Sequence, residues 1–432
     1  MSTIAVVGTG YVGLTSGACF AHLGHRVICA DVVAEKVESL RRGEVPILEA
    51  GLPEMVAQGL ASGRLTFVLG AANAVPGAEF VYLCVPTPQG EDGSADLSYI
   101  RAAAAEISPL LEPGSVVVNK STVPVGSTRA VEEVLGRGDV SVVSNPEFLR
   151  EGSAVHDCLH PDRIVVGGDD QAAAARVAGL FTSLGAPVLI TDPASAETIK
   201  YASNAFLAAK ISFVNAVANI CESVGADVRD VLLGMGYDRR IGFEFMKPGP
   251  GFGGSCFPKD TNALIRIAED AGYDFGLLRS VVEVNNQQFS RVTAKVKAQV
   301  GGFLEGMTVA AWGLTFKALT DDLRMSPALE VIGQLRAQGA VVRAFDPAVH
   351  HGPSAASPDD TRLAGIEICS DPYAACEGAS VLVVLTEWSE FRRLDFNKVA
   401  GLMAATNVVD ARNLLDPAGL RRRGFNYCGI GR

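Results

Sequence analysis

The sequence predicts an α/β protein of two doubly wound parallel-sheet units joined by a long central helix. Three observations carry this. Short apolar runs alternate with helical patterns through the first 190 residues. The same alternation resumes after Met307. Between the two, residues 194–224 place Ala, Asn and apolar side chains on nearly every side of one helix, a pattern that asks for burial all round. A chain of 432 residues is too long for one core. We expect three regions, 1–193, 194–300 and 301–432.

The first unit opens with the strand Thr3-Ile4-Ala5-Val6-Val7, then Gly8-Thr9-Gly10-Tyr11-Val12-Gly13, a helical pattern to about His25, and a second strand from Arg26 to Ala30 that ends at Asp31. Strand, GxGxxG, helix, strand and acidic residue form the dinucleotide-binding fingerprint of a Rossmann-like unit. Gly8 makes the tight turn, Gly10 lets a pyrophosphate approach, and Gly13 lets helix and strand pack closely. Phosphates belong at the helix N-terminus. Asp31 accepts from ribose hydroxyls and repels the extra phosphate of NADP, and Val32-Val33 offer no arginine to hold that phosphate, so the expected cofactor is NAD.

Further strands are predicted at 80–85, 115–118 and 140–143, apolar enough to be parallel and buried on both faces, and the pattern continues at 163–166 and 188–190. After the central helix the chain stays helical to about residue 300. The last unit shows strands at 308–312, 340–345, 380–385 and 406–409 but no GxGxxG, so its ligand should not be a dinucleotide. Residues 350–362, with the His350-His351 pair, read as a solvated surface loop.

Hydrophobic content of 48% and charged content of 20% describe an ordinary globular protein. The net charge of −11 argues against nucleic-acid and anionic-membrane surfaces. No stretch approaches a membrane-spanning length, and a core strand at the start leaves no room for a signal peptide. Nine cysteines without a CxxC pair suggest reduced thiols and a cytoplasmic protein.

The strongest chemical signal is Gly249-Pro250-Gly251-Phe252-Gly253-Gly254-Ser255-Cys256-Phe257-Pro258-Lys259-Asp260. Pro258 suits the first turn of a helix, so Cys256 should sit at the helix start. There the helix dipole and unpaired N–H groups favour a thiolate. Asp260 lies one turn on, Lys259 adds positive charge, and the glycines would let a ligand approach the backbone. Nothing around the other eight cysteines suggests an activated thiol. Lys200 and Asn204 lie four apart on one face of the central helix. Glu147 and Glu151 follow a strand end, as do Lys120, Ser121 and Thr122, where open sheets place their ligands. Phe316-Lys317 and Asp321-Asp322-Leu323-Arg324 follow the first strand of the last unit and suit a phosphate ligand. His156, Cys158 and His160 have no second cluster to complete a metal site, and no metal is expected.

The chain resembles the UDP-glucose/GDP-mannose dehydrogenase family over essentially its whole length, most closely the bacterial UDP-glucose 6-dehydrogenases. The carriers are GTGYVGL at 8–14, KSTVPVGS at 120–127, NPEFLREG at 145–152, PDRIVVG at 161–167 and IKYASNAFLAAKISFVNA at 199–216, with PGPGFGGSCFPKD at 248–260, GLTFK at 313–317 and TEW at 386–388. The resemblance implies four-electron oxidation of the C6 alcohol of UDP-glucose to a carboxylate with NAD. In it Cys256 is the nucleophile, Lys200 and Asn204 stabilise oxyanions, Asp260 and Glu151 handle water and protons, and Thr122 holds a water. NAD would be contacted by Gly8, Gly10, Tyr11, Val12, Gly13, Asp31, Lys36, Thr87, Thr122, Glu151 and Arg324. The nucleotide sugar would be held by Phe148, Leu149, Arg150 and Glu151, by Lys200 and Asn204, by Phe245 to Gly253, and by Phe316 and Lys317. Arg240 would reach into the active site of a partner subunit of a homodimer or larger homo-oligomer.

Pro86 stands where the family often has glycine, and Met325 where it often has an acidic residue, which loosens the implied contacts of Arg324. Another nucleotide sugar, GDP-mannose or a UDP-N-acetylhexosamine, is the alternative substrate. A two-electron hydroxy-acid dehydrogenase would have no use for Cys256, and an NAD-binding regulatory module none for Lys200 and Asn204.

Overall fold

The computed structural model describes residues 1–88, 90, 95–351 and 360–432, with His350 and His351 described by their backbone alone. The chain forms two compact units, residues 1–203 with 262–272, and residues 204–261 with 273–432.

The first unit holds an eight-stranded sheet of β1 (Thr3–Val7), β2 (Arg26–Asp31), β3 (Leu65–Leu69), β4 (Phe80–Leu83), β5 (Val116–Asn119), β6 (Ser141–Ser144), β7 (Ile164–Gly167) and β8 (Val188–Thr191), in the order β3-β2-β1-β4-β5-β6-β7-β8. The reversal of order at β1 and β4 is the switch point where such sheets bind ligands. Both faces carry apolar cores. Ile4, Val6, Val27 and Val118 point into one, and Ala5, Val81, Leu83 and Val117 into the other. The run at 163–166 departs from the expected parallel pattern, because β7 meets β6 antiparallel at Ser144 and Gly167. β8 is also less buried than expected, with Val188, Leu189 and Ile190 exposed on the sheet edge. β3 was not anticipated, since its alternating burial lacks the continuous apolar run of a central strand.

The second unit holds a six-stranded parallel sheet of β9 (Thr308–Trp312), β10 (Val341–Phe345), β11 (Glu367–Ile368), β12 (Val381–Val384), β13 (Asn407–Asp410) and β14 (Asn426–Cys428), ordered β11-β10-β9-β12-β13-β14. Trp312 is fully buried, stacks on Phe391 at 5.1 Å, and donates its indole N–H to the Pro372 carbonyl at 2.9 Å. The His350-His351 pair belongs to the short helix Pro347–His351 rather than to a loop, and residues 352–359 of the expected loop lie outside the described residues.

The central helix runs from Pro193 to Val224. Burial on all sides, the sequence expectation, is not what a single chain shows: Phe206, Phe213, Ile220 and Val224 are exposed. At 32 residues and a window hydropathy of 1.3 it is also long and apolar enough to cross a membrane by length and composition, contrary to the sequence reading. Glu197, Lys200 and Asn204 on it are buried and hydrogen-bonded within the protein, and 44% of the apolar window is buried.

Gly313 closes the first turn of the second sheet at φ +97, and an added Cβ would lie 2.3 Å from that of Thr386. Gly333, within the helix Pro327–Ala337, has open space at the same position. Gly313→Ala should therefore cost about 2–4 kcal/mol from clash and backbone strain, while Gly333→Ala should gain about 0.5–1 kcal/mol. Urea unfolding of both variants reads the opposite signs.

Candidate active site

In the first unit the helix Tyr11–His22 begins directly after Gly10. Gly8 takes φ +98, where a Cβ would lie 2.5 Å from the Cys84 carbonyl oxygen, and a Cβ on Gly13 would lie 2.0 Å from that of Gly8. Gly10 has nothing within 4 Å of a Cβ position, so the space a pyrophosphate requires is present. Val12 stands beside Gly13 in the first turn of this helix. Asp31 ends β2 and accepts from the Thr9 N–H at 3.0 Å, from its hydroxyl, from the Val33 N–H at 3.1 Å and from Lys36 Nζ at 3.0 Å. Burial would raise its carboxyl, but Thr9 and Lys36 outweigh this and hold it down to about 2. An ionised acid at the switch point, an open Gly10 and a helix N-terminus together fit a dinucleotide with a free ribose diol. Thr87 and Thr122 meet there too, the Thr87 hydroxyl donating to the Thr122 carbonyl at 2.8 Å.

The segment after β6 carries the first unit's other candidates. Glu147 and Lys200 form a buried ion pair at 2.6 Å, and Lys200 Nζ also donates to the Glu147 carbonyl at 2.7 Å. Burial pushes the Glu147 carboxyl up, but the Lys200 charge and hydrogen bond, with the Leu149 N–H at 2.7 Å, bring it below its ordinary range. The Phe148 ring lies under the Arg163 guanidinium at 3.6 Å, and Arg150 grips Asp157 through its N–H and guanidinium. Glu151 precedes Gly152, a left-handed turn at φ +79. Sequence reasoning marked Glu147 as a candidate at a strand end but gave it no partner. Its pairing with Lys200 depends on a distant helix that no local pattern announces.

In the second unit Cys256 lies one residue before the helix Phe257–Asp270, half-buried, as its sequence predicted. Asp260 follows one turn on, fully buried, its N–H donating to the Cys256 carbonyl at 2.8 Å. Its carboxylate accepts from Asn204 Nδ2 at 2.6 Å and from Lys259 Nζ at 2.8 Å. The glycine loop differs from expectation. A Cβ on Gly251 would meet Asn285 Oδ1 at 2.8 Å, on Gly253 the Met325 carbonyl at 2.1 Å, and on Gly254 the Phe316 ring at 2.8 Å. At these three positions the protein itself occupies the Cβ space, so close packing alone requires glycine there. Asn215, Asn285 and Gln288 bind the backbone of Gly249 and Phe252 and hold the loop. None of the three was singled out from the sequence, because an Asn or Gln on an amphipathic helix carries no local mark of its partner.

Phe245 takes φ +62 and packs its ring 6.0 Å from that of Phe257. Lys317 Nζ lies 5.5 Å above the Phe316 ring. Arg324 pairs with Asp322 at 2.8 Å, beside Met325 at φ +46. Arg240 pairs with Asp238 at 2.6 Å while 89% of its side chain stays exposed.

Burial pushes the Cys29 thiol up, and those of Cys84 and Cys376 up to about 12. Cys158 corrects the expectation that no other thiol is perturbed: a hydrogen bond from Cys19, aided by the Lys120 charge, lowers it and raises Cys19. His156 and His160 stand 4.8 Å apart, and among the described residues no group of His, Cys, Asp and Glu is arranged to hold a metal.

Glu147 is lowered in the folded state, so its contribution is complete above the unfolded carboxyl value, about 4.3, and is lost as pH falls from there through its folded value. The acid limb of the stability curve should therefore flatten in Glu147→Gln. Lys200→Met leaves the acid buried and unpaired, and should cost about 3–5 kcal/mol at neutral pH. Denaturant titrations between neutral and acid pH measure both.

Comparison with known proteins identifies the family. The UDP-glucose/GDP-mannose dehydrogenase family profiles match in succession, the NAD binding domain at residues 2–185, the central domain at 194–287 and the UDP binding domain at 310–417. The chain is 45% identical to UDP-glucose 6-dehydrogenase TuaD of Bacillus subtilis, over 100% of this chain and 94% of that protein. It is 46% identical to the UDP-glucose 6-dehydrogenase of Pseudomonas aeruginosa, over 99% of this chain and 97% of the other. A UDP-glucose dehydrogenase structure from Pyrobaculum islandicum superposes with a TM-score of 0.89 at 39% identity, covering 100% of this chain and 98% of that one. With all three domain profiles in order and full-length relatives well above the level of chance, the chain belongs to the UDP-glucose/GDP-mannose dehydrogenase family.

Proposed function

We propose that this protein is an NAD-dependent UDP-glucose 6-dehydrogenase that converts UDP-glucose to UDP-glucuronate. The observation that carries the reading is Cys256, one residue before a helix start, with the buried Asp260 one turn on and held by Asn204 and Lys259. An oxidation stopping at the aldehyde needs no thiol there. One that reaches the acid gains from a covalent tether.

Bound NAD would supply the hydride acceptor, one molecule for the alcohol and a second, after exchange, for the thiohemiacetal. Asp31 and the turn from Gly8 to Gly13 orient it, with Lys36 beside Asp31. Oxidation of the C6 alcohol gives an aldehyde. The Cys256 sulfur adds to that carbon, and the carbonyl oxygen becomes an oxyanion that Lys200 and Asn204 stabilise as donors. Loss of a second hydride from the same carbon leaves a thioester. Water, deprotonated by Asp260 or Glu151 with Thr122 positioning it, attacks the thioester and releases the carboxylate and the Cys256 thiolate. Phe148 to Arg150, Phe245 to Gly253, Phe316 and Lys317 hold the nucleotide sugar. On this scheme residues 1–193 bind NAD, 194–300 carry the nucleophile and the subunit interface, and 301–432 bind the UDP moiety.

The assembly is a homodimer or larger, in the cytoplasm. Phe206, Phe213 and Ile220 recur every seventh residue on an exposed stripe of the central helix, the spacing of a helix-to-helix seam. Arg240, exposed and paired with Asp238 at 2.6 Å, is the group that would enter a partner's site.

Purified protein with NAD and UDP-glucose should yield two NADH per sugar consumed, because each hydride transfer carries two of the four electrons. Cys256→Ala should abolish UDP-glucuronate formation while leaving slow, reversible aldehyde formation. A Cys256→Ala enzyme that makes the acid at the parental rate would refute the covalent route. For the assembly, light scattering should give at least twice the 45.2 kDa chain mass for the parent, and the monomer mass for Phe213→Glu. A fully active parental monomer would remove the interface reading.

A further inference from the structure

One buried carboxylate of the first unit has no part in this scheme. Glu49 is 3% exposed and lies ahead of the helix Leu52–Ala61. Its Oε2 accepts from the Tyr11 hydroxyl and from the Gly152 N–H at 2.7 Å, and its Oε1 from the Val155 N–H at 3.4 Å. The Gly152 N–H also reaches Tyr11 Oη at 2.9 Å. Tyr11 is the first residue of the helix that opens from the glycine turn, and Gly152 directly follows Glu151. Burial, reinforced by the Glu49 carboxylate, pushes the Tyr11 hydroxyl pKa up, so it remains a donor.

Geometry makes this more than a satisfied buried acid. Glu49 joins three segments distant in sequence, and two of them are the cofactor turn and the loop that carries Glu151. Gly152, at φ +79, is a joint that few residues other than glycine adopt, so the peptide between Glu151 and Gly152 needs an outside grip to keep one orientation. Tyr11 and Glu49 supply that grip on its N–H. A general base must be held within a fraction of an ångström of its working position.

We propose that Glu49 is a positioning residue for the reaction: with Tyr11 it pins the Glu151–Gly152 peptide to the first residue of the dinucleotide-binding helix, setting Glu151 against the cofactor turn. The proposal rests on the reading of Glu151 as a proton-handling residue. Without Glu49 the turn swings and the distance from Glu151 to its water is no longer fixed. The nucleotide sugar still binds.

The test uses the full-length enzyme with NAD and UDP-glucose, and the variants Glu49→Ala, Glu49→Gln, Tyr11→Phe and Glu151→Gln. In Glu49→Ala, kcat should fall at least about tenfold, as for misplacement from outside the chemistry, with KM for UDP-glucose changed less than about threefold. Hydrogen exchange of the amides at 150–156 should quicken. Glu49→Gln, whose amide oxygen can still accept from Gly152, should restore most of kcat. Faster exchange with kcat within about twofold of the parent would overturn the proposal, since the grip would then have no bearing on turnover. If Glu49→Ala does not fold, Tyr11→Phe decides: a lower kcat with KM for UDP-glucose little changed and faster exchange at 150–156 supports the clamp, and faster exchange with kcat within about twofold of the parent overturns it. Full turnover in Glu151→Gln would instead sink the reading of Glu151, and with it the role given to Glu49. That outcome differs from a failed clamp, in which Glu151→Gln is impaired and Glu49→Ala is not.

Discussion

Both sheets hang on one backbone constraint, a left-handed glycine immediately after the first strand. Gly8 takes φ +98 and Gly313 φ +97, and each N–H donates at 2.8 Å to a carbonyl near the end of the neighbouring strand, Ala30 in one case and Phe345 in the other. In each, a Cβ would strike the backbone that follows the crossover strand, the Cys84 carbonyl or the Thr386 N–H. No L side chain tolerates that place, so the turn, and the helix or loop it launches, is fixed by the lack of a single carbon. What the units bind then depends on the next few residues. In the first, Gly10 leaves open space and Gly13 admits the helix. In the second, Thr315 and Ala318 occupy the equivalent places.

The acid at the end of the second strand shows the same divergence. Asp31 keeps some exposure and is held ionised by Thr9 and Lys36. Asp346, at the corresponding point after β10, is fully buried and accepts from the Leu314 and Thr315 N–H groups, the Thr315 hydroxyl, the Trp388 indole and the Ala348 N–H. A fully buried acid whose two oxygens are both taken by the protein is not placed to serve a ribose. The second unit lacks GxGxxG, and at the place that Asp31 holds in the first unit it has a structural pin, Asp346. This leaves Phe316 and Lys317, on the loop that Asp346 fixes, as the groups with a phosphate-facing role in the proposed scheme.

What was legible in the sequence was local. GxGxxG in its strand context, Pro258 marking a first helical turn after Cys256, and the apolar runs of central strands each depend on neighbours within a few residues. What was not legible required a partner far along the chain or an exposed face. β3 alternates and β11 has two residues, so neither offers an apolar run. β7 looks like its parallel neighbours, because strand direction is set by the connection rather than by composition. The glycines at 251, 253 and 254 resemble a ligand cradle in sequence but are packed against Asn285, Met325 and Phe316, identities that only the fold supplies. Glu49 sits in a turn with no periodicity, and its three partners come from residues 11, 152 and 155.

The distribution of thiols carries the last step. A reaction through a thioester needs one cysteine that is a good nucleophile and a good leaving group, in a chain that holds nine. Burial answers most of this requirement. Cys29, Cys84, Cys369 and Cys376 lie inside the cores, and each is pushed away from the thiolate by loss of water. Cys19 and Cys158 share a hydrogen bond that raises the first and lowers the second, and Cys158 packs against the core of the first unit. Cys256 differs in kind. It stands half-buried at a helix start, where N–H groups without intrahelical partners and the helix dipole favour negative charge on sulfur. The buried Asp260 nearby does not oppose this with a bare charge, because Asn204 and Lys259 already hold its carboxylate. Selectivity among the cysteines thus comes from where the backbone puts each sulfur, not from any feature of the residue, and the helix start after the glycine loop is the position that favours a thiolate while leaving it within reach.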